Sequence, residues 1–380
     1  MKRATLPYAT RSTTALGAPG RRSGSTVRSV KTHRHAPCEI EILDPTTDLT
    51  WDLTAASHRE STIFHSSAWA RVLVSTYGHK PFYLRLLQDG KTAAVLPLME
   101  VSSRLTGRRA VSLPFSDLAG ALTFTEFNPQ LLVKKLSDLA RERGWKYFEI
   151  RGDRSFAPVA VKPAFVGHTL DLRIGLERLR GGVSSAVRRN LRKAKASGVE
   201  IAVGRNWEQL VEFYRLHLRT RRRHGLPPQS IRFFSNIYEH LLKRRLGFVV
   251  LAAIKSRPIA AAVFLHQGGR AVYKFGASDE RFQQHRANNL VMWQGISSLV
   301  ESGAEMLHFG RTSLENNGLR RFKLSWGSQE EPLTYSRFDP LRAEWRAPAA
   351  TSKGFHHHVF GNLPLPVNRL IGTLCYPHLD

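Results

Sequence analysis

A chain of 380 residues with 42% hydrophobic content can bury a core in each of two domains, which excludes a disordered or fibrous protein. With 57 Lys and Arg against 30 Asp and Glu, the formal charge is +27, so the expected partners are anionic: nucleic acid, phosphorylated carriers or a membrane surface. Cys38 and Cys375 sit at opposite ends of the sequence and offer neither a disulfide framework nor metal spacing, as in a protein of a reducing compartment.

Residues 1–37 carry Lys2, Arg3, Arg11, Arg21, Arg22, Arg28, Lys31 and Arg34 with no acidic residue and no apolar periodicity, the pattern of a disordered basic tail. The same Arg- and Ser-rich, acid-poor composition also suits a transit peptide. No run reaches the about 18 apolar residues of a membrane-spanning helix; FVVLAAI and IAAAVFL are strand-length. A cytoplasmic protein is expected, with peripheral contact at the inner membrane as a further option.

After the tail, Glu39 to Leu43 alternates as a strand does, and Thr47 to Tyr77 reads as mostly helical. Asp89-Gly90 between apolar runs predicts a hairpin. A third strand over Ala110–Pro114 leads into the loop Phe115–Gly120, then a helix from about Pro129 to Arg143 that ends at Gly144, then a buried strand, Tyr147–Arg151. The second half repeats this order: strands Phe248–Lys255 and Ile259–Gln267, a third at Ala271–Phe275, a polar loop, a helix from Ala287 to about Gly303, and a strand ending at His308-Phe309-Gly310-Arg311. That is an internal repeat of a whole α/β unit, with a boundary near Ile174. The expected division is a tail over 1–37, domains over 38–174 and 175–339, and an extension over 340–380. His356 to His358 are adjacent side chains that cannot all face one ion, so a surface cluster is expected rather than a metal site. The apolar, Pro-broken Leu363–Tyr376 is expected to pack on the body or touch a membrane.

Three stretches could carry chemistry. The helix opening at Ala287, behind a strand and beside Arg281, His285 and Arg286, suits a phosphate. On a helix starting after Ser184, Val187, Leu191 and Ala194 share one face; Arg188 and Arg189 lie in its first turns, where cations oppose the helix dipole unless an anion is bound. Finally, Arg311, Thr312 and Ser313 follow a strand-end Gly, and Lys323 between Phe322 and Leu324 would be partly desolvated, ready to stabilise charge on a carbonyl oxygen. A salt bridge from Lys323 to Glu330 or Glu331 is the structural alternative.

The run S-x-x-x-R-R-N-L-R-K-A from Ser184, G-L-P-P at 225–228, YKFGASD, ANNLVMW, HFGRTS and FKLSWG together resemble the FemAB-type, BioF-like acetyltransferase branch of the GNAT acyltransferase superfamily. S-x-W-A at 67–70 and LPFSDLAG at 113–120 are similar to that family's N-terminal unit. The resemblance covers roughly 39–339 and implies an α/β (α+β) fold of two tandem GNAT-like domains, each a mixed, largely antiparallel sheet with flanking helices. It implies an enzyme with no bound cofactor that moves an acyl or aminoacyl group from acyl-CoA or aminoacyl-tRNA to an amine of an envelope, peptidoglycan or polysaccharide precursor. Arg188, Arg189, Arg311 and Ser313 would bind substrate. Phe275, Gly276, Arg281, His285, Arg286 and Asn288 would receive the carrier. Main-chain amides near Phe275 and Gly276 would join Lys323 at the oxyanion, and Asp117 and His308 are the candidate bases by side-chain type. The 283–288 segment departs from the family's glycine-rich pyrophosphate loop. The rival expectation is a non-catalytic nucleic-acid or membrane-surface binder that keeps the fold.

Overall fold

The computed structural model describes residues 38–152, 163, 165–347 and 360–379; the N-terminal tail and His356–His358 lie outside them. In chain order the first half supplies β1 (Cys38–Leu43), α1 (Trp51–Ala56), α2 (Ser67–Tyr77), β2 (Lys80–Pro81), β3 (Tyr83–Gln88), β4 (Lys91–Leu96), β5 (Met99–Ser103), β6 (Gly107–Val111), β7 (Leu122–Thr123), α3 (Pro129–Arg143) and β8 (Phe148–Arg151). The second supplies β9 (Phe165–Asp171), α4 (Gly175–Gly182), α5 (Ser185–Ala196), β10 (Glu200–Gly204), α6 (Trp207–Arg223), α7 (Ile231–Ile237), β11 (Gly247–Ile254), β12 (Arg257–Gln267) and β13 (Arg270–Ser278). It continues through α8 (Ala287–Glu301), β14 (Met306–His308), β15 (Thr312–Ser313), α9 (Asn317–Leu324), β16 (Gln329–Leu333), β17 (Tyr335–Asp339), β18 (Glu344–Arg346) and α10 (Leu365–Cys375).

Local chemistry sets many of these limits. Asp89 (φ 52°) and Gly90 (φ 71°) give the left-handed pair that a two-residue turn requires, and β3 and β4 close as the expected hairpin. α3 starts where the Asn128 side chain accepts from the Gln130 amide and stops at Gly144 in the left-handed region. The expected helix over 47–77 is broken in two, because the Thr62 and Ser66 side chains each cap a new start. The expected strand 110–114 begins earlier, as β6, and its last residues belong to the loop that follows. α9 lies in the stretch expected to be a strand-end loop; the Asn316 side chain caps it by accepting from the Leu319 amide.

The strands form three sheets, in the orders β1-β3-β4-β7, β18-β17-β8-β6-β5-β2 and β10-β11-β12-β13-β14-β9-β15, with β16 also on β9. Among the described residues each half contains one parallel pair bridged by a helix: β6 and β8 through α3, β13 and β14 through α8. This twice-used crossover is what the internal repeat becomes in three dimensions. Two strands cross the expected partition: β9 joins the second half's sheet and β17 pairs with β8 of the first. Pro37–Asp380 is accordingly one compact unit. α4, α5 and α8 cover one face of the large sheet over Phe248, Val250 and Phe264, and α6 and α7 cover the other in a core shared with Trp69 and Leu73 of α2.

Gly295 of α8 lies flat on the buried Phe264 ring, where an added Cβ would sit 2.1 Å from the ring edge. Alanine in place of glycine normally favours a helix interior by up to about 1 kcal/mol. Here the ring must move, so Gly295→Ala is expected to lower the unfolding free energy by ~1–3 kcal/mol in urea denaturation.

Candidate functional site

β13 and β14 run in parallel register only from Arg270–Met306 to Val272–His308, and then separate. The opening starts at a bulge: Val263 of β12 faces Phe275 and Phe264 faces Tyr273, so Lys274 has no partner in the register. Bulges re-aim side chains. Lys274 reaches the first half, where its Nζ donates to the Phe115 carbonyl (2.6 Å) and to Asp117 Oδ2 (3.3 Å), its side chain 7% exposed. Burial pulls the Lys274 pKa down, opposed by the Asp117 charge.

The loop that receives Lys274 is strained. Leu113 (φ 64°) and Phe115 (φ 58°) are non-glycine residues in the left-handed region, at a cost of about 1–3 kcal/mol each. Their surroundings hold them: Arg151 Nη1 donates to the Leu113 carbonyl (3.2 Å), Ser116 Oγ donates to the same carbonyl (2.6 Å), and the Tyr335 hydroxyl donates to the Asp117 carbonyl (2.9 Å). Arg151 is itself fixed by Glu149 Oε1 at 2.8 Å, and the other Glu149 oxygen accepts from Arg337 at 2.7 Å. Asp117 is thereby set over Gly310, where a methyl group would lie 3.5 Å from Oδ2. Burial alone would raise the Asp117 pKa, but Lys274, Arg311 and His308 outweigh it and hold it at about 2.

Lys323 reaches the same place from α9. It is 2% exposed, and its Nζ donates to the carbonyls of Gly310 (2.7 Å) and Arg311 (3.3 Å), two of the three bonds an ammonium can make. Burial lowers its pKa to about 8 against the pull of Asp117. Glu330, the alternative partner, is instead 2.7 Å from Arg320 and 3.0 Å from His168. The Arg311 guanidinium stacks over Phe165 and Tyr335, 4.6 and 5.1 Å from the ring centres.

His308 ends β14, and its Nδ1 accepts from the Gly310 amide at 3.0 Å. That bond selects the tautomer with hydrogen on Nε2, and burial lowers the ring's pKa to about 4. A neutral ring with one nitrogen occupied and the other carrying its hydrogen has no lone pair to offer. In this geometry His308 shapes the Gly310 turn.

The remaining sequence candidates lie elsewhere. Ser313 is exposed on β15, its backbone paired with Phe165. Phe275 and Gly276 follow the bulge on the diverging part of β13, and the Phe275 ring packs on Phe213, Phe233 and Phe234. At the start of α8, Gln283, Arg286, Asn288 and neighbours line a hollow of about 160 Å³. Arg286 takes φ 57° there without glycine, and Asn288 Nδ2 donates to Ser278 Oγ at 3.3 Å. His285 lies beside Gln284. Arg281 is committed to Asp279, at 2.6 and 2.9 Å, so its charge is already answered. Arg188 is answered too: its Nη1 donates to the carbonyls of Gly181 and Val183 at the end of α4, so no bound anion is needed to explain a cation in the first turn of α5. With Arg189 it lines a groove of about 540 Å³ over α5 and α8, which shares no residue with the Asp117 cluster.

Residues 182–324 match the family described as the acetyltransferase (GNAT) domain. The matched segment contains the diverging strands, Lys274 and Lys323. FemX shares the fold at 15% identity and TM-score 0.61, covering 77% of this chain and 95% of its own. A tandem GNAT protein from the clavulanic acid biosynthesis pathway aligns at 12% identity and TM-score 0.51, covering 80% of this chain and 99% of its own. A conserved protein of unknown function from Bacteroides thetaiotaomicron aligns at 11% identity and TM-score 0.52, covering 79% and 99%. These are likenesses of fold, and they extend beyond the GNAT domain into the first half. No curated protein sequence matches the chain.

Lys274, Arg151 and Tyr335 belong to the site although sequence reasoning did not select them. The one available signal was a lysine between Tyr273 and Phe275 in the otherwise apolar run from Ala271 to Ala277. Asp117→Asn would leave the Lys274 charge buried and unpaired, and is expected to cost ~3–5 kcal/mol. Adding Lys274→Met should restore most of that loss in urea denaturation. The contribution of Asp117 should be complete above its ordinary value of 3.8 and fade as the pH falls toward about 2, since the folded state holds its proton less tightly.

Proposed function

We propose that the chain transfers an acyl or aminoacyl group from acyl-CoA or aminoacyl-tRNA to an amine of an envelope, peptidoglycan or polysaccharide precursor, acting in the cytoplasm. The observation that carries this reading is Lys323, a buried ammonium pinned by two carbonyls beside an ionised Asp117 where two strands part. The domains proposed, 38–174 and 175–339, meet at this centre.

In the proposed reaction the amine nitrogen bonds to the thioester or ester carbonyl carbon, and the oxygen gains negative charge. Lys323 and the amides near Phe275 and Gly276 donate to that oxygen. Its collapse breaks the bond to sulfur or to the ribose oxygen. Asp117, ionised down to about pH 2, is a weak base but a good acceptor, suited to hold the attacking amine. The proton released by the amine then leaves with the thiol or hydroxyl product.

The carrier surface proposed is the groove lined by Arg180, Arg188, Arg189, Arg192, Lys195 and Trp293, together with the hollow at Arg286 and Asn288. Cations around an indole suit phosphates joined to a base. Arg189→Glu with Arg192→Glu should weaken carrier binding and flatten its dependence on salt, as read in titrations at several ionic strengths.

Thermal-shift screening identifies the carrier, since a ligand that binds only the folded state raises its melting temperature. With that carrier, Lys323→Ala is expected to lower kcat by about 10²–10³ while carrier binding stays unchanged. The wild-type rate should fall as the pH rises through about 8, where Lys323 loses its charge. A non-catalytic binder would turn over none of the carriers and would be indifferent to this substitution.

A further inference from the structure

α10 packs one side on the body and turns an apolar side outward. Its inner side is accounted for: Asn368 Nδ2 donates to the Phe360 carbonyl, a Cβ on Gly372 would lie 2.0 Å from the Pro228 carbonyl, and the adjoining Tyr376 hydroxyl accepts from Arg221 at 2.8 Å. The outer side carries Val367, Leu370 and Leu374, 42%, 60% and 62% exposed, at the spacing of one helical stripe. A helix turned to water would place polar residues there.

The stripe continues beyond the helix. The His378 carbonyl accepts from Thr106 and from Arg109 Nη2, which fixes the β5–β6 turn against the chain end. That turn adds Leu105 at 77% exposure, beside Leu379 at 43%. Among the described residues, the charge within these two stretches has one sign. Neither 101–111 nor 360–379 contains an acidic residue, while Arg104, Arg108 and Arg369 are exposed within them.

We propose that the outer face of α10 and the β5–β6 turn seat the protein on an anionic membrane surface. Leucines enter the boundary between headgroups and acyl chains, and the flanking arginines meet lipid phosphates. A second copy of the chain is a poorer fit. A stripe on an 11-residue helix is short for the about 800 Å² that each partner of a stable dimer buries, and two such faces would bring arginine against arginine. The inference does not depend on the transferase reading. Tyr376 touches Phe115, with ring centres 5.5 Å apart, so docking by α10 would hold the Asp117 loop close to the lipid.

The test is co-sedimentation of the full chain with phosphatidylcholine vesicles, with and without phosphatidylglycerol. Wild type should bind the anionic vesicles. Leu370→Glu/Leu374→Glu should lower partitioning about tenfold or more, since it puts charge where insertion needs apolar surface. Arg104→Glu should reduce the preference for phosphatidylglycerol. Circular dichroism and melting temperature should not change, because these side chains are exposed. The proposal is overturned if wild type ignores anionic vesicles, if the double variant binds them equally, or if light scattering shows a dimer that the variant dissociates while vesicle binding is unaffected.

Discussion

The ion pair between Lys274 and Asp117 is the interaction on which the site depends. One member is an extra residue on a strand of the second half, the other lies on a loop of the first, and both are largely withdrawn from water. Removing either charge would strand the other in a poorly solvating interior, so the pair behaves as a joint rather than an ornament. It also explains the strain in the loop: Leu113 and Phe115 keep left-handed backbones because Lys274, Arg151, Ser116 and Tyr335 all draw on the same short stretch of carbonyls.

The chemistry proposed for the site follows from where the sheet opens. A parallel pair that stays in register has its backbone groups occupied, whereas this one pairs only as far as Val272 and His308, and the proposal seats the acyl group beyond that point. The bulge at Lys274 lies at that point, and α9 returns Lys323 to the same place. Water exclusion lowers the Lys323 pKa toward the physiological range and strengthens whatever its ammonium contacts, two consequences of one desolvated position. Residues of both halves compose this centre, which fits the crossing of β9 and β17 between the sheets.

Much of the scaffold was legible in the sequence because its signals are local. Asp89-Gly90, Asn128 with Gly144, and Ser184 each specify a turn or a cap through their own side chain or backbone, and these elements appear where the residues place them. The repeated strand–helix–glycine–strand order was readable for the same reason. Charge assignments were less legible, since pairing is decided by tertiary neighbours. Arg281 and Arg188 read as free cations, yet Asp279 and the carbonyls ending α4 had already claimed them. Lys274 escaped notice because its role comes from a register slip against β12 and a loop more than 150 residues away, neither of which leaves a periodic trace.

The most direct test of this account is a crystal structure with a carrier analogue bearing a non-transferable acyl group. The account requires the acyl carbonyl oxygen to lie within hydrogen-bond reach of Lys323 Nζ, in the opening between β13 and β14, with Asp117 facing the carbonyl carbon. An acyl group seated elsewhere, with Lys323 still bound only to the Gly310 and Arg311 carbonyls, would contradict it.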